Sequence, residues 1–379
     1  MRALFATTAG EGHFGPMVPF GHALRDAGWD VAVAAPESFA SSVMGAGLAH
    51  LPFADVPDEI IGPIFRPLPQ LPREEANRVV MRDVFARLDT TWALAGMGEA
   101  IAGFAPEVVV REPCEFSSYL LAERAGIPHV QVSIGIAEFD ELIHPIVVGP
   151  LTELGAADPS VLLRAPRATV VPLSFEEPTR PGPAMTHRYR LPTSPTRPIP
   201  QWWPRDERPL VYLSFGSVAA GVGFFPGIYR AAIDALTPLD VRILVTTGRA
   251  ADPAALGPLS ANVHVEQWVP QADALAAASV VVGHGGYGTT MGALAAGLPQ
   301  LVLPLFASDQ FVNAARVDAV GAGIGLAGPE SVGDIGSAVL QLLSDTAFGV
   351  AARTIADEMA DQAPIGTFPG HLAAIVDGG

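Results

Sequence analysis

Short apolar runs separated by longer amphipathic stretches set the plan of this chain. Residues 2–8, 29–35, 107–112 and 129–134 are dense in small and branched apolar side chains, and each is too short to be a helix. They predict four strands of one sheet. Between the first two, Pro16 stands where a helix can begin and Gly28 where it can end. A long helical stretch, about 74–103, leads into Val108-Val109-Val110. After residue 209 the alternation restarts, with Leu210–Phe215, Val241–Thr246, Val263–Trp268, Val280–Gly283 and Gln300–Leu305 predicted as strands. Strands that alternate with helices predict an α/β fold with parallel sheets covered on both faces.

The stretch 176–209 breaks that rhythm. It is dense in proline from Pro178 to Pro209 and reads as an interdomain linker. Two α/β halves flank it, which predicts twin Rossmann-like domains with parallel sheets facing across a cleft. The boundaries are 1–200 and 210–362, with 363–379 as a closing segment. A second proline cluster, Pro57, Pro63, Pro67, Pro69 and Pro72, makes Asp55–Arg73 a rigid surface loop.

Charge and cysteine content narrow the partners. The formal charge is −17, with 39 acidic against 22 basic residues, so nucleic acid and anionic membrane surfaces are poor partners. No run reaches the roughly 18 apolar residues of a membrane helix. The early Glu11 interrupts any signal-peptide core, and the single cysteine, Cys114, excludes an intrachain disulfide. These features fit a cytoplasmic protein. Oligomeric state stays open, a homodimer included.

Candidate chemistry lies just past strand ends, where open parallel sheets bind ligands. His13, Glu112, Ser217 and His284 all occupy such positions. His284-Gly285-Gly286-Tyr287-Gly288-Thr289-Thr290 follows an apolar strand and opens an Ala/Leu-rich helix. Such a loop offers backbone N–H groups and a helix N-terminus to an anion, with threonine hydroxyls at hand. There is no Asp-x-Asp pair and no His/Asp cluster with metal-ligand spacing, so neither metal nor other cofactor is required to hold a diphosphate.

Trp268-Val269-Pro270-Gln271, the glycine loop, Gly297-Leu298-Pro299, Pro304 and Asp309-Gln310 together resemble the donor signature of family 1 glycosyltransferases. The match is strongest to bacterial members that decorate natural products. The resemblance implies a GT-B fold whose last segment returns to the first domain. It implies an inverting, metal-independent sugar transfer, and His13 as the base that deprotonates the acceptor. Glu112 stands where the family commonly has an aspartate that orients the base, with Glu115 in reserve. Ser217, His284, Gly285, Gly286, Gly288 and Thr289 are implied to hold the donor diphosphate. Trp268, Val269 and Gln271 are implied for the base and ribose, and Asp309 and Gln310 for the sugar. Phe65, Leu68 and Phe116 are candidates for the acceptor. The implied donor is a dTDP-activated deoxyhexose, with UDP-sugars open, and the implied acceptor a hydrophobic polyketide-like aglycone, through O- or C-glycosylation. One departure is Gly292, which replaces a ribose-binding glutamate of plant members.

Three other readings remain at this level. Gly10-x-Gly12-x-x-Gly15 follows a strand, and Glu37 ends the next one, which is the literal fingerprint of an NAD- or FAD-dependent oxidoreductase. Pro16 and Pro19 crowd that helix start. A nucleotide-sugar epimerase would need no acceptor base. A non-catalytic nucleotide-sugar-binding protein would need no His13.

Overall fold

The computed structural model describes all residues except 177–184, 194–195, 204–205, 250 and 379. The chain forms two compact units. The first comprises Met1–Val170, Glu177–Pro192 and Gln362–Gly379; the second comprises Val171–Glu176 and Thr193–Asp361.

The first unit holds an eight-stranded sheet. Its strands are β1 (Arg2–Ala6), β2 (Asp30–Pro36), β3 (Ala49–Phe53), β4 (Val108–Arg111), β5 (His129–Val132), β6 (Arg167–Thr169), β7 (Thr186–Arg190) and, near the C-terminus, β14 (Ala363–Pro364). They lie in the order β14-β7-β6-β5-β4-β1-β2-β3, and every pairing is parallel. Val108, Val109 and Val110 are wholly buried, as an apolar run covered on both faces requires. One core cluster unites Leu4, Ala32 and Phe53 with the helix Thr90–Phe104.

The second unit holds β8 (Leu210–Ser214), β9 (Arg242–Thr246), β10 (Val263–Glu266), β11 (Val280–Gly283), β12 (Gln300–Val302) and β13 (Gly323–Gly325). Their order is β10-β9-β8-β11-β12-β13, again with parallel pairs only. Renumbered from β8, this is the 3-2-1-4-5-6 order of a Rossmann sheet. The first six strands of the first unit follow the same order. The strand order therefore reverses between β1 and β4 in one sheet, and between β8 and β11 in the other.

Several elements differ from the sequence reading. The proline-rich stretch 176–209 carries β7, which pairs with β6 and β14. Its Thr-His-Arg-Tyr-Arg sequence hides the strand because only Tyr189 is buried, against Phe20 and Phe368. The prolines at 178, 181, 183, 195 and 204 lie outside the described residues. The loop expected at Asp55–Arg73 contains a helix, Asp58–Phe65, and a short 3-10 turn, Leu68–Gln70. Asp58 and Glu59 in its first turn complement the helix dipole, and Pro63 lies inside the helix, where it removes one backbone hydrogen bond. The long helical stretch before β4 is continuous, as expected, from Arg73–Val79 through Thr90–Phe104, and differs only in that its middle, Val80–Asp89, is π-helical. Helical structure also starts before Pro16, at Glu11–Phe14. The closing helix, Phe368–Asp377, belongs to the first unit, where His371 Nδ1 and the Tyr189 hydroxyl share a 2.7 Å hydrogen bond.

Candidate functional site

In the first unit, the loops after β1 and β4 meet at the point where strand order reverses. His13 lies in the short helix after β1 and Glu112 directly follows β4. His13 Nδ1 stands 3.2 Å from Glu112 Oε1, with the imidazole partly exposed and the carboxylate wholly buried. Glu112 is held from both sides. Its Oε1 accepts from the Thr8 N–H at 3.2 Å and the Thr8 hydroxyl at 3.0 Å, and its Oε2 accepts from the Cys114 N–H at 2.6 Å. Burial alone would push this carboxyl up. The facing His13 and these donors outweigh burial and hold it below its ordinary value of 4.5. A carboxylate fixed in this way favours the proton on Nδ1 and leaves Nε2 as the basic atom.

Glu115 does different work. Its carboxylate accepts from the N–H groups of Ser117 at 2.9 Å and Ser118 at 3.1 Å, and from both hydroxyls, so it caps the helix Ser117–Ala125. Burial pushes its carboxyl up. Phe116 is buried in a cluster with Tyr119 and Leu151, a core position. Phe65 ends the helix Asp58–Phe65 and is exposed, and Leu68, which opens the 3-10 turn, is half-buried. His13, Glu112 and Cys114 each offer a potential ligand atom within 4.8 Å of the others, a grouping no sequence spacing displays. Both Glu112 oxygens are already committed to hydrogen bonds.

The dinucleotide fingerprint has a specific structural demand: its third glycine must sit tightly between helix and strand. Gly15 does not. It is exposed, and a methyl group added there would meet nothing within 4 Å. Glu37 is likewise exposed at the start of a 3-10 turn.

In the second unit, the loops after β8 and β11 meet at the corresponding reversal. Gly216 follows β8 with φ 74°, and a side chain there would strike the His284 ring at 2.6 Å. A side chain at Gly286 would strike the same ring, also at 2.6 Å. Burial pushes the His284 imidazole down to about 4, so near pH 7 it is a neutral ring able to donate one N–H. Gly285 has φ 86°, and a Cβ would lie 2.7 Å from the Gln310 carbonyl oxygen. Its own carbonyl accepts from Asn313 Nδ2 at 2.8 Å. The Gly285→Ala variant is therefore expected to lose about 1–3 kcal/mol of stability through strain and overpacking, read by thermal unfolding.

Gly286 precedes the helix Tyr287–Ala295, and Gly288 is exposed in its first turn, where N–H groups have no intrahelical acceptor. Thr289 is buried, and its hydroxyl accepts from Gln271 Nε2 at 3.1 Å. Residues assigned to diphosphate and to ribose are thus bonded to each other. Gly292 leaves room for this contact, since a Cβ there would stand 3.4 Å from Gln271 Oε1. Ser217 is exposed beside Gly216.

Trp268 is 54% exposed, two residues past β10, and the Arg249 guanidinium lies 4.9 Å from its ring centroid. This solvent-facing indole, with a cation on one face, is not a core residue. Val269, the next residue, is buried in the core. Asp309 and Gln310 open the helix Ser308–Ala319. Gln310 Oε1 accepts from the N–H groups of Leu305 at 2.9 Å and Phe306 at 3.1 Å, and among the described residues its Nε2 donates to none. Arg249, Asn313 and Thr8 were not singled out from the sequence. Arg249 could have been, as a basic residue just past a strand end.

Residues 22–153 match the family described as erythromycin biosynthesis protein CIII-like, N-terminal domain, and residues 230–368 match its C-terminal domain. The L-demethylnoviosyl transferase of Streptomyces niveus is 32% identical over 368 residues, covering 95% of this chain and 94% of that protein. The solved glycosyltransferase SnogD from Streptomyces nogalater superposes with TM-score 0.75 at 27% identity, over 99% of both chains. The Streptomyces sp. glycosyltransferase SsfS6, solved with thymidine diphosphate, gives TM-score 0.76 at 25% identity, over 98% of this chain and 99% of that one.

Proposed function

From a chain that belongs to the erythromycin biosynthesis protein CIII-like glycosyltransferases of GT-B fold, we propose a deoxyhexose transferase that uses a dTDP-sugar and inverts the anomeric centre. The acceptor is a hydroxyl of a hydrophobic natural-product aglycone, polyketide-like in character. The single observation that carries the chemistry is the His13–Glu112 pair at the strand-order reversal of the first unit.

With Nδ1 facing Glu112, Nε2 takes the acceptor proton as the acceptor oxygen attacks the anomeric carbon. The bond from that carbon to the diphosphate breaks in the same displacement, so configuration inverts and no enzyme nucleophile is needed. Charge develops on the leaving diphosphate. The helix N-terminus at 286–289, the neutral His284 ring and the Ser217 hydroxyl are suited to receive it without a metal ion. Gln310 Nε2 and Asp309 are the groups suited to the sugar hydroxyls. A thymidine diphosphate bound to SsfS6 supports thymine as the donor base.

Calorimetric titration with dTDP, UDP, GDP and NAD, all in EDTA, tests the donor assignment. Binding of dTDP in preference to the others is expected. Trp268→Ala should weaken it about 5–150-fold, since stacking on an aromatic ring is worth ~1–3 kcal/mol. Binding of NAD alone would overturn the reading.

A further inference from the structure

We propose that Asp89 is a specificity-determining residue, which takes a hydrogen bond from a second donor group on the acceptor, next to the hydroxyl that His13 deprotonates. The proposal rests on the transferase reading above and extends it to a residue no part of that reading uses.

Asp89 ends the π-helical segment Val80–Asp89. Such segments are rare, usually a single turn, and concentrate at functional sites. Four residues earlier on the same segment, and so about one turn away, the Phe85 ring packs 5.4 Å from the His13 ring. The side of the segment that carries Phe85 and Asp89 is thereby set toward the dyad. The Asp89 carboxyl is half-buried and has no hydrogen bond or ion pair with any described residue. A half-buried carboxyl with no protein partner is open to a donor group on a bound ligand, and a hydrogen bond to its charged form is among the stronger ones.

The local field selects what the ligand brings. Burial, then the charges of Glu112, Glu115 and Asp55, raise the Asp89 carboxyl to about 7, with His13 acting the other way. Three carboxylates against one imidazole make a negative surrounding. A hydroxyl donor or an ammonium group suits it, and a methoxy or carboxylate group does not.

Fluorescence titration of two phenolic probes, 6,7-dihydroxycoumarin and 7-hydroxy-6-methoxycoumarin, isolates this one donor. The wild type should bind the dihydroxy compound about 10–100-fold more tightly, the difference made by one hydrogen bond to a charged group. Asp89→Leu should abolish that preference and leave the affinity for the methoxy compound within about twofold, as expected away from lost packing. The preference should also grow as pH rises through about 7 in the wild type and stay flat in Asp89→Asn, a response that a purely structural role would not produce. No preference in the wild type, or one that survives Asp89→Leu, overturns the assignment. Affinity for dTDP, measured on the same preparations, tells that outcome apart from a failed donor reading or a misfolded variant.

Discussion

Replacing His13 by alanine is expected to lower sugar transfer by about 10²–10⁴-fold while leaving dTDP affinity unchanged. The split follows from where the residues lie. His13 belongs to the first unit, and every residue assigned to the donor belongs to the second. A base that acts only on the acceptor proton contributes to the transition state and little to nucleotide binding. Loss of the imidazole leaves Glu112 with its Thr8 and Cys114 hydrogen bonds intact, so the buried carboxylate keeps partners and the fold is expected to survive. The check is kcat against donor affinity for the same variant. Transfer within threefold of wild type would remove His13 from the mechanism and revive the non-catalytic nucleotide-sugar-binding reading.

Much of this arrangement was legible in the chain, and the exceptions have physical reasons. Val108–Val110 and Val280–Val282 announce themselves because strands buried on both faces must be apolar throughout. Strands β3, β6, β7 and β13 do not. Pro52 sits inside β3, which is tolerated because that strand is a sheet edge. β6 buries the charged Arg167, and β13 is Gly-Ile-Gly, with glycines that press on the Gln300 and Ala314 carbonyls. Both His13 and Glu112 could be placed just past strand ends from the sequence, but their pairing was readable only through the family resemblance. Which of Glu112 and Glu115 faces the imidazole was not. It depends on a turn, where Glu115 points back to cap the helix at Ser117. Asp89 was invisible for a related reason. An amphipathic pattern marks a helix, but it does not distinguish the π-helical winding of Val80–Asp89, which carries the Phe85 ring to His13, from an ordinary α-helix.

Glu112→Gln carries the second large expectation, and pH makes it specific. The variant should lose about 10²–10³-fold in kcat, because glutamine cannot stabilise the imidazolium and its amide can turn to donate to Nδ1, selecting the wrong tautomer. Removal of the charged partner of a buried pair should also cost on the order of 1–3 kcal/mol of stability near pH 7. The sign of the pH effect follows from the direction of the shift. The folded carboxyl is held below 4.5, so the folded state binds fewer protons than the unfolded one in that range. The stabilisation is present above about 4.5 and is lost as pH falls through the lower, folded-state value. Asp89 and Glu115 bend the curve the other way, because their carboxyls are raised and the folded state gains from their protonation. Both proteins share those two contributions, so the difference between the wild-type and Glu112→Gln curves, followed by denaturant unfolding between pH 5 and 3, isolates Glu112. The wild type should lose stability over that interval more steeply than Glu112→Gln. Parallel curves would mean that the carboxylate gains nothing from His13 and its backbone donors, and the oriented-base mechanism would lose its electrostatic support.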